Sequence, residues 1–326
     1  MKKNLNTLRI IRPGPLTTVQ DQGRYGFQDR GVPVSGAMDQ AAYRLGNLLA
    51  GNSGKDASLE ITLGGFTAVF LRDTGFAVTG AEQEARLNNK IIPAWTAHQA
   101  AKGDVLSLAF GRKGARWYLA VAGGFEVPLV MGSRSTYLRG GFGGLAGRAL
   151  RKGDVLESGR PIRPGIFSSL PAELIPNYSR EPILRVILGP QDDAITEEGL
   201  STFLTADYSV TQRSDRMGCL LAGPPIRHKT GPDILSDAMA FGSIQVPGSG
   251  QPIIHMADRQ TIGGYVKIAT VATVDLPLIA QAFPGYRVRF KAIGIEKAQE
   301  LCIKKEEQIA LWLERCCFLK PPRLPE

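Results

Sequence analysis

The stretch SLEITLGGFTAVFLRDTGFAVTG, residues 58–80, packs three short apolar runs around a Gly-Gly pair and an Asp-Thr-Gly turn. Runs of this length suit strands and fall short of ordinary helices. The pattern continues outward, with strand candidates at 58–63, 66–72 and 76–79, then at 85–88, 104–110 and 116–122. Upstream, LRIIR (8–12) is a further strand, stopped by PGP (13–15). One helix interrupts the series at 37–50, where Ala41, Leu45, Leu48 and Leu49 share a face and Gly51 ends it. Residues 16–36 read as an extended, glycine-rich loop. Short strands at close spacing with one helix predict a barrel or sandwich.

Residues 159–182 carry Pro161, Pro164, Pro171, Pro176 and Pro182 and read as a linker. A second series follows, with strands at 183–188, 208–211, 219–221, 243–246, 252–256, 264–274 and 286–290, and helices at 193–204 and 275–283. The end, 294–315, is an amphipathic helix whose stripe is Ile295, Ala298, Cys302, Ile309 and Leu313, closed by Pro321 and Pro322. This divides the chain into a first domain at 1–165, a second at 183–293 and a terminal helix and tail at 294–326.

The chain has 326 residues, 43% hydrophobic and 21% charged, an ordinary globular composition. Its net charge of +9 raises the question of nucleic acid, but no basic stripe with interleaved aromatics is present, so an anionic substrate or acidic partner fits better. The opening Met-Lys-Lys is not followed by an apolar segment, and no run approaches a membrane span. The expected location is the cytoplasm, and the four cysteines are read as reduced thiols. With three histidines and no metal-ligand spacing, no metal cluster is expected.

Two motifs fail on inspection. GNSGKD (51–56) lacks the earlier glycine and the hydroxyl of a phosphate loop, having Leu49 and Asp56 there, and reads as a helix-ending turn. GFGGLA (141–146) lacks the flanking strand and helix of a dinucleotide fingerprint.

Three segments gather polar side chains among glycines. In TTVQDQGRYGFQDRGVPVSGAMD (17–39) these are Gln20, Asp21, Arg24, Ser35 and Asp39. Asp21 and Arg24 can pair locally, and Ser35 can cap the helix near Ala37. In GSRSTYLRGGFGG (132–144), Arg134, Ser135 and Arg139 offer donors for a carboxylate or phosphate. The third set is RSDRMG (213–218) with HMADRQTIGGYVKIA (255–269): Asp215, Arg216, Asp258, Arg259, Gln260, Thr261, Gly263, Gly264, Tyr265 and Lys267. The period of two puts Tyr265 and Lys267 on one side of a strand. Lys267 can neutralise an oxyanion and Asp258 can orient water or accept a proton.

These segments, together with LEITLGG (59–65) and IQVPGSGQPIIHMADRQTIGGYVKIATV (244–271), resemble the KipA / allophanate hydrolase subunit 2 family across about residues 8–291. The resemblance implies a mainly β fold of two tandem cyclophilin-like β-barrel domains with a few helices and a C-terminal helix. It implies the C component of an ATP-dependent 5-oxoprolinase, opening 5-oxo-L-proline to L-glutamate with a KipI / allophanate hydrolase subunit 1-type protein and a LamB/YcsF-type subunit. ATP and Mg2+ would serve the complex, not necessarily on this chain. Matched positions suggest Asp21, Arg216, Asp258 and Lys267 as catalytic, with the other residues of the three segments binding substrate or phosphate; Asp21, Asp215 and Asp258 are candidates for magnesium or water. Two other functions stay open: a carboxyltransferase component working with biotin on separate carrier subunits, and a KipA-type antagonist of a KipI-type kinase inhibitor.

Overall fold

The computed structural model describes residues 5–82, 84–111, 113–159 and 169–318. The opening Met-Lys-Lys, Pro161 and Pro164 of the expected linker, and Pro321 and Pro322 lie outside the described residues.

The fold is mainly β. Residues 58–80 make three strands that alternate between two sheets. Ser58–Thr62 and Thr74–Gly80 flank Arg116–Val121 in a five-stranded sheet, while Phe66–Phe70 lies inside a seven-stranded one. The corner between the first two is tight: Leu63, Gly64 and Gly65 all have positive φ, and a Cβ on Gly64 would stand 1.9 Å from the Ala109 carbonyl oxygen. Only glycine tolerates that approach. Phe66–Phe70 alternates buried and half-buried, the signature of one covered face, whereas Thr74–Gly80 is buried throughout. Helix α1 (Gln40–Leu49) provides that second cover, with Thr79 Oγ1 donating to the Ala42 carbonyl at 2.7 Å. Its cap is Asp39, which accepts from Ala42 N, and not Ser35, which sits at φ 57 four residues earlier. Part of the expected extended loop is a strand, Leu16–Gln20, paired along Ser58–Thr62.

The second half closes as a seven-stranded barrel in the order Ile183–Leu188, Lys267–Val271, Ser243–Gln245, Ile253–His255, Gly218–Ala222, Tyr208–Val210, Arg287–Ala292. Leu184, Val186, Ile244, Ile254, Ile268 and Val288 fill it. Met38 of the first half packs in that same core. Helices α2 (Glu197–Thr205) and α3 (Leu276–Ala280) lie on it, and a two-stranded ribbon, Asp233–Ala238 with Ile262–Tyr265, stands outside it.

The expected strand 264–274 breaks at Val266. Tyr265 pairs in the ribbon opposite Asp233, while Lys267 pairs in the barrel opposite Gln245 at a register irregularity. Tyr265 is consequently 41% exposed and Lys267 4%, so the two do not share a side. The chain changes sheets between them, and strand periodicity does not carry across such a switch.

Helix α4 (Ile295–Phe318) packs back on the first half: Ile309 and Trp312 join a core with Leu45, Tyr118 and Tyr178. Arg44 of α1 makes a bidentate pair with Glu306 at 2.6 and 2.8 Å. Ile295, expected in the apolar stripe, is exposed, whereas Ala298 one turn on is already buried.

Candidate functional site

The three polar segments converge where the two halves meet. In the first, the Asp21 carboxylate is enclosed by donors. Gly23 N at 2.8 Å, Ser133 Oγ at 2.7 Å and Ser135 Oγ donate to Oδ1, and Arg134 N donates to Oδ2 at 2.6 Å. Asp21 thus pins the 132–144 loop to its own loop, and no Asp21–Arg24 pair is needed. Arg24, fully buried, donates from Nε to the Val130 carbonyl at 2.9 Å and from Nη2 to the Ser135 carbonyl at 2.8 Å, with its guanidinium 4.9 Å from the Phe142 ring centre. Burial pulls Arg24 below the ordinary arginine range, against the opposing pull of Asp21 and then Asp258. Gln20 bonds Thr18 Oγ1 and the Thr136 carbonyl. Arg24 Nη1, Gln20 Oε1 and Ser35 Oγ are buried without a hydrogen-bond partner among the described residues.

The centre of the junction is Arg216. Its Nε and Nη2 grip Asp258 side-on at 2.9 and 3.1 Å, Nη2 also donates to the Gly36 carbonyl at 2.6 Å, and Nη1 bonds Glu60. One Nη1 hydrogen is left of the five an arginine carries. Burial would lower the Arg216 pKa, but Asp258 and Glu60 prevail and hold it above the ordinary range. Glu60 Oε2 accepts from Tyr118 OH at 2.7 Å and Met38 N at 2.8 Å. Tyr118 OH in turn accepts from Asp39 N at 2.8 Å, and Asp39 Oδ2 accepts from Tyr178 OH at 2.6 Å and Gln281 Nε2 at 2.9 Å. Gln281 completes the seam by accepting from Arg116 N at 2.7 Å and donating to the Arg116 carbonyl at 3.0 Å. Burial pushes the Asp39 carboxyl up, against the donors that hold it down.

A family model for the carboxyltransferase domain, subdomain A and B, matches residues 30–292. The chain belongs to the carboxyltransferase-domain family. It is 40% identical over 292 residues to the C component of the 5-oxoprolinase of Escherichia coli strain K12, covering 89% of this chain and 93% of that one. It is 35% identical to the urea amidolyase of Lachancea kluyveri, covering 92% of this chain but 17% of that protein. Among solved structures, the Kluyveromyces lactis urea carboxylase superposes with a TM-score of 0.90 at 30% identity, over all of this chain and 30% of that one. The K. lactis urea amidolyase gives 0.89 at 31% identity, over 95% of this chain and 20% of its own length.

Within this carboxyltransferase-type domain, not every residue named from the sequence is free for a ligand. Arg216 is boxed in by two carboxylates and a carbonyl, so it is a clamp on Asp258 and not a loose cation. Asp215 closes its own turn, accepting from Met217 N at 2.7 Å and Gly218 N at 3.2 Å, and meets Arg139 at 3.1 Å. Arg134 pairs with Glu126. Among the described residues Asp21, Asp215 and Asp258 do not form a three-carboxylate cluster, no three His, Cys, Asp or Glu side chains standing together there. Lys267 Nζ bonds Asp237 and the Ala238 carbonyl. The Thr261 carbonyl accepts from Met239 N at 3.0 Å, and a Cβ on Gly263 would stand 2.7 Å from Gln245 Nε2, whereas Gly264 has no such close neighbour. Gln260 is half-buried.

Two groups keep open chemistry. The Asp258 carboxyl, 5% exposed, bonds Arg216 alone among the described residues and raises the Tyr137 pKa, after burial. Arg259 donates from Nε to the Met239 carbonyl at 2.9 Å and from Nη1 to the Met256 carbonyl, and stacks 5.5 Å over Phe241. Among the described residues that leaves Nη2 without a hydrogen-bond partner. Phe241, Tyr25 and Gln22 also line a cleft of about 920 Å3 between α1 and α4. Sequence reasoning missed Glu60, Tyr118, Tyr178 and Gln281. Glu60 carries a legible signal, a lone carboxylate inside an apolar strand run, LEITL; the other three look like ordinary core or loop residues. Among the described residues no helix is long and apolar enough to cross a membrane.

Proposed function

We propose that this chain is the C component of an ATP-dependent 5-oxoprolinase, acting in a complex with a KipI-type and a LamB/YcsF-type subunit. The observation that supports this above the alternatives is mutual coverage. The identity to the bacterial 5-oxoprolinase components spans nearly all of both chains, while the urea amidolyases are several times longer than the matched region.

The chemistry asked of the complex is the opening of a lactam, a poor electrophile. Transfer of the ATP γ-phosphoryl group to the lactam oxygen releases ADP. Water then adds to the activated carbon, the ring nitrogen leaves as the amine to give a γ-glutamyl phosphate, and a second water displaces phosphate to give glutamate. ATP and Mg2+ would serve the complex, and no phosphoryl step is routed through the groups of this chain. This chain's own groups suit substrate handling. Arg259 Nη2 and the exposed Arg139 offer donors to the 5-oxoproline carboxylate. Asp258, held rigidly with its outer lone pairs free, suits orienting the attacking water and taking its proton. Lys267 serves an oxyanion only if Asp237 releases it, and Asp21 serves by holding two loops together.

Glutamate release measured with all three purified subunits, ATP, magnesium and 5-oxoproline tests this. ATP-dependent glutamate that disappears when this chain is omitted is the expected result, with Asp258→Ala lowering it at least about a hundredfold. A folded three-part mixture that releases none sinks the reading. The structural likeness to urea carboxylase keeps a biotin-linked carboxyltransferase as the second reading, and carboxyl transfer to an added biotin carrier would then be the activity to measure.

A further inference from the structure

Glu60 is 1% exposed and lies in the middle of a central strand, where a carboxylate costs several kcal/mol unless fully partnered. Its Oε2 is satisfied within its own half by Tyr118 OH and Met38 N. Its Oε1 crosses to the other half and bonds Arg216, while Arg116 Nε stands 3.9 Å away. A strand residue serving its own sheet would not need that second set.

The geometry points to Glu60 as a positioning residue for the site, acting on Asp258 through Arg216. A guanidinium is flat and its donors are fixed relative to one another. With Nη1 on Glu60 and Nη2 on the Gly36 carbonyl, the plane of Arg216 cannot turn. The side-on bonds at 2.9 and 3.1 Å then set the plane of the Asp258 carboxylate. The first half thus orients the reactive carboxylate of the second, and the site is complete only when the halves are docked. Glu60 touches no substrate; the inference rests on the assignment of Asp258 to the reacting centre.

Steady-state glutamate release by the reconstituted complex, wild type against Glu60→Gln, is the test. Tilting Asp258 is expected to lower kcat about tenfold to a hundredfold while KM stays within about threefold, because misorientation costs the transition state more than binding. Asn52→Ala, which strips buried hydrogen bonds to Asn47 and Val121 from the same half without touching Arg216, reports what general destabilisation does to kcat. A kcat for Glu60→Gln equal to wild type, or no lower than that of Asn52→Ala, overturns the inference. If Glu60→Gln does not fold, Arg216→Lys keeps a cation but loses the fork; the same kcat loss is expected, and an unchanged kcat overturns it. A wild-type complex that releases no glutamate speaks against the proposed function only. The thermal double-mutant cycle of Glu60→Gln and Asp258→Asn then decides for Glu60. Groups linked through one arginine give Tm shifts that do not add, and additive shifts overturn the link.

Discussion

His255 illustrates how burial decides the behaviour of a single side chain. Its Nε2 donates to Gln245 Oε1 at 2.9 Å, a direction set because Gln245 Nε2 already donates to the Tyr265 carbonyl. Nδ1 is left buried without a partner among the described residues, and burial, with the Arg259 cation added, pushes the imidazole pKa down to about 4. The unfolded chain binds this proton near pH 6.5 and the folded one only near 4, so between those values the unfolded state holds more protons. Stability therefore rises with pH across that window and is lost on acidification, by up to about 3 kcal/mol from this residue. His255→Gln keeps a donor for Gln245 and is expected to flatten that part of the stability curve, measured by urea melts from about pH 4 to 7. An unchanged slope would show that other groups carry it.

At the scale of the loop, glycine does the placing. Gly143 has φ 72, and a Cβ there would stand 2.0 Å from the Ser135 carbonyl oxygen and 2.9 Å from Arg24 Nη2. Gly141 has φ 64, but a Cβ there would meet nothing within 4 Å among the described residues. Gly141→Ala is therefore expected to cost only the left-handed backbone penalty, about 1–2 kcal/mol. Gly143→Ala adds a clash with the two groups that tie the loops together and is expected to cost clearly more and to lower activity further. Melts and rates on the pair settle this, and equal losses would mean the contact yields freely. The glycine-rich runs announced turning loops in the sequence. Which glycine sits against which carbonyl did not show, because the contacts join residues 24, 135 and 143 through folding.

For the whole molecule, the seam between the halves is polar, buried and continuous from Asp258 to Gln281. Gln281→Ala would leave Arg116 N without its partner, at roughly 1–3 kcal/mol, while the Asp39 carboxylate keeps Tyr178 OH and Ala42 N and the Arg116 carbonyl keeps Ala81 N. A loss of about 1–3 kcal/mol is expected in denaturant melts. Met38 seated in the barrel core and α4 seated on the first half bind the two parts further, so wild type is expected to unfold in one transition. Two resolved transitions would refute this.

Local pattern was enough to read the β class, the strands from 58 to 121 except Lys90–Ile92 and Ala97–Ala100, the helix later bounded as α1 and the terminal amphipathic helix. Strand and helix periodicities and glycine turns are properties of neighbours in the chain. The three polar segments were legible for the same reason, as clusters of hydrogen-bonding side chains among glycines. Their roles were not. Arg216 reads as a free cation until Glu60, 156 positions away, is seen against it. Lys267 and Tyr265 read as one face until the chain is seen to change sheets at Val266. The packing of α4 on the first half depends on shapes and contacts distant in sequence. Pattern along the chain determines which elements form, and only the tertiary fold decides which charges meet, because a buried charge takes its meaning from the partners that replace its water.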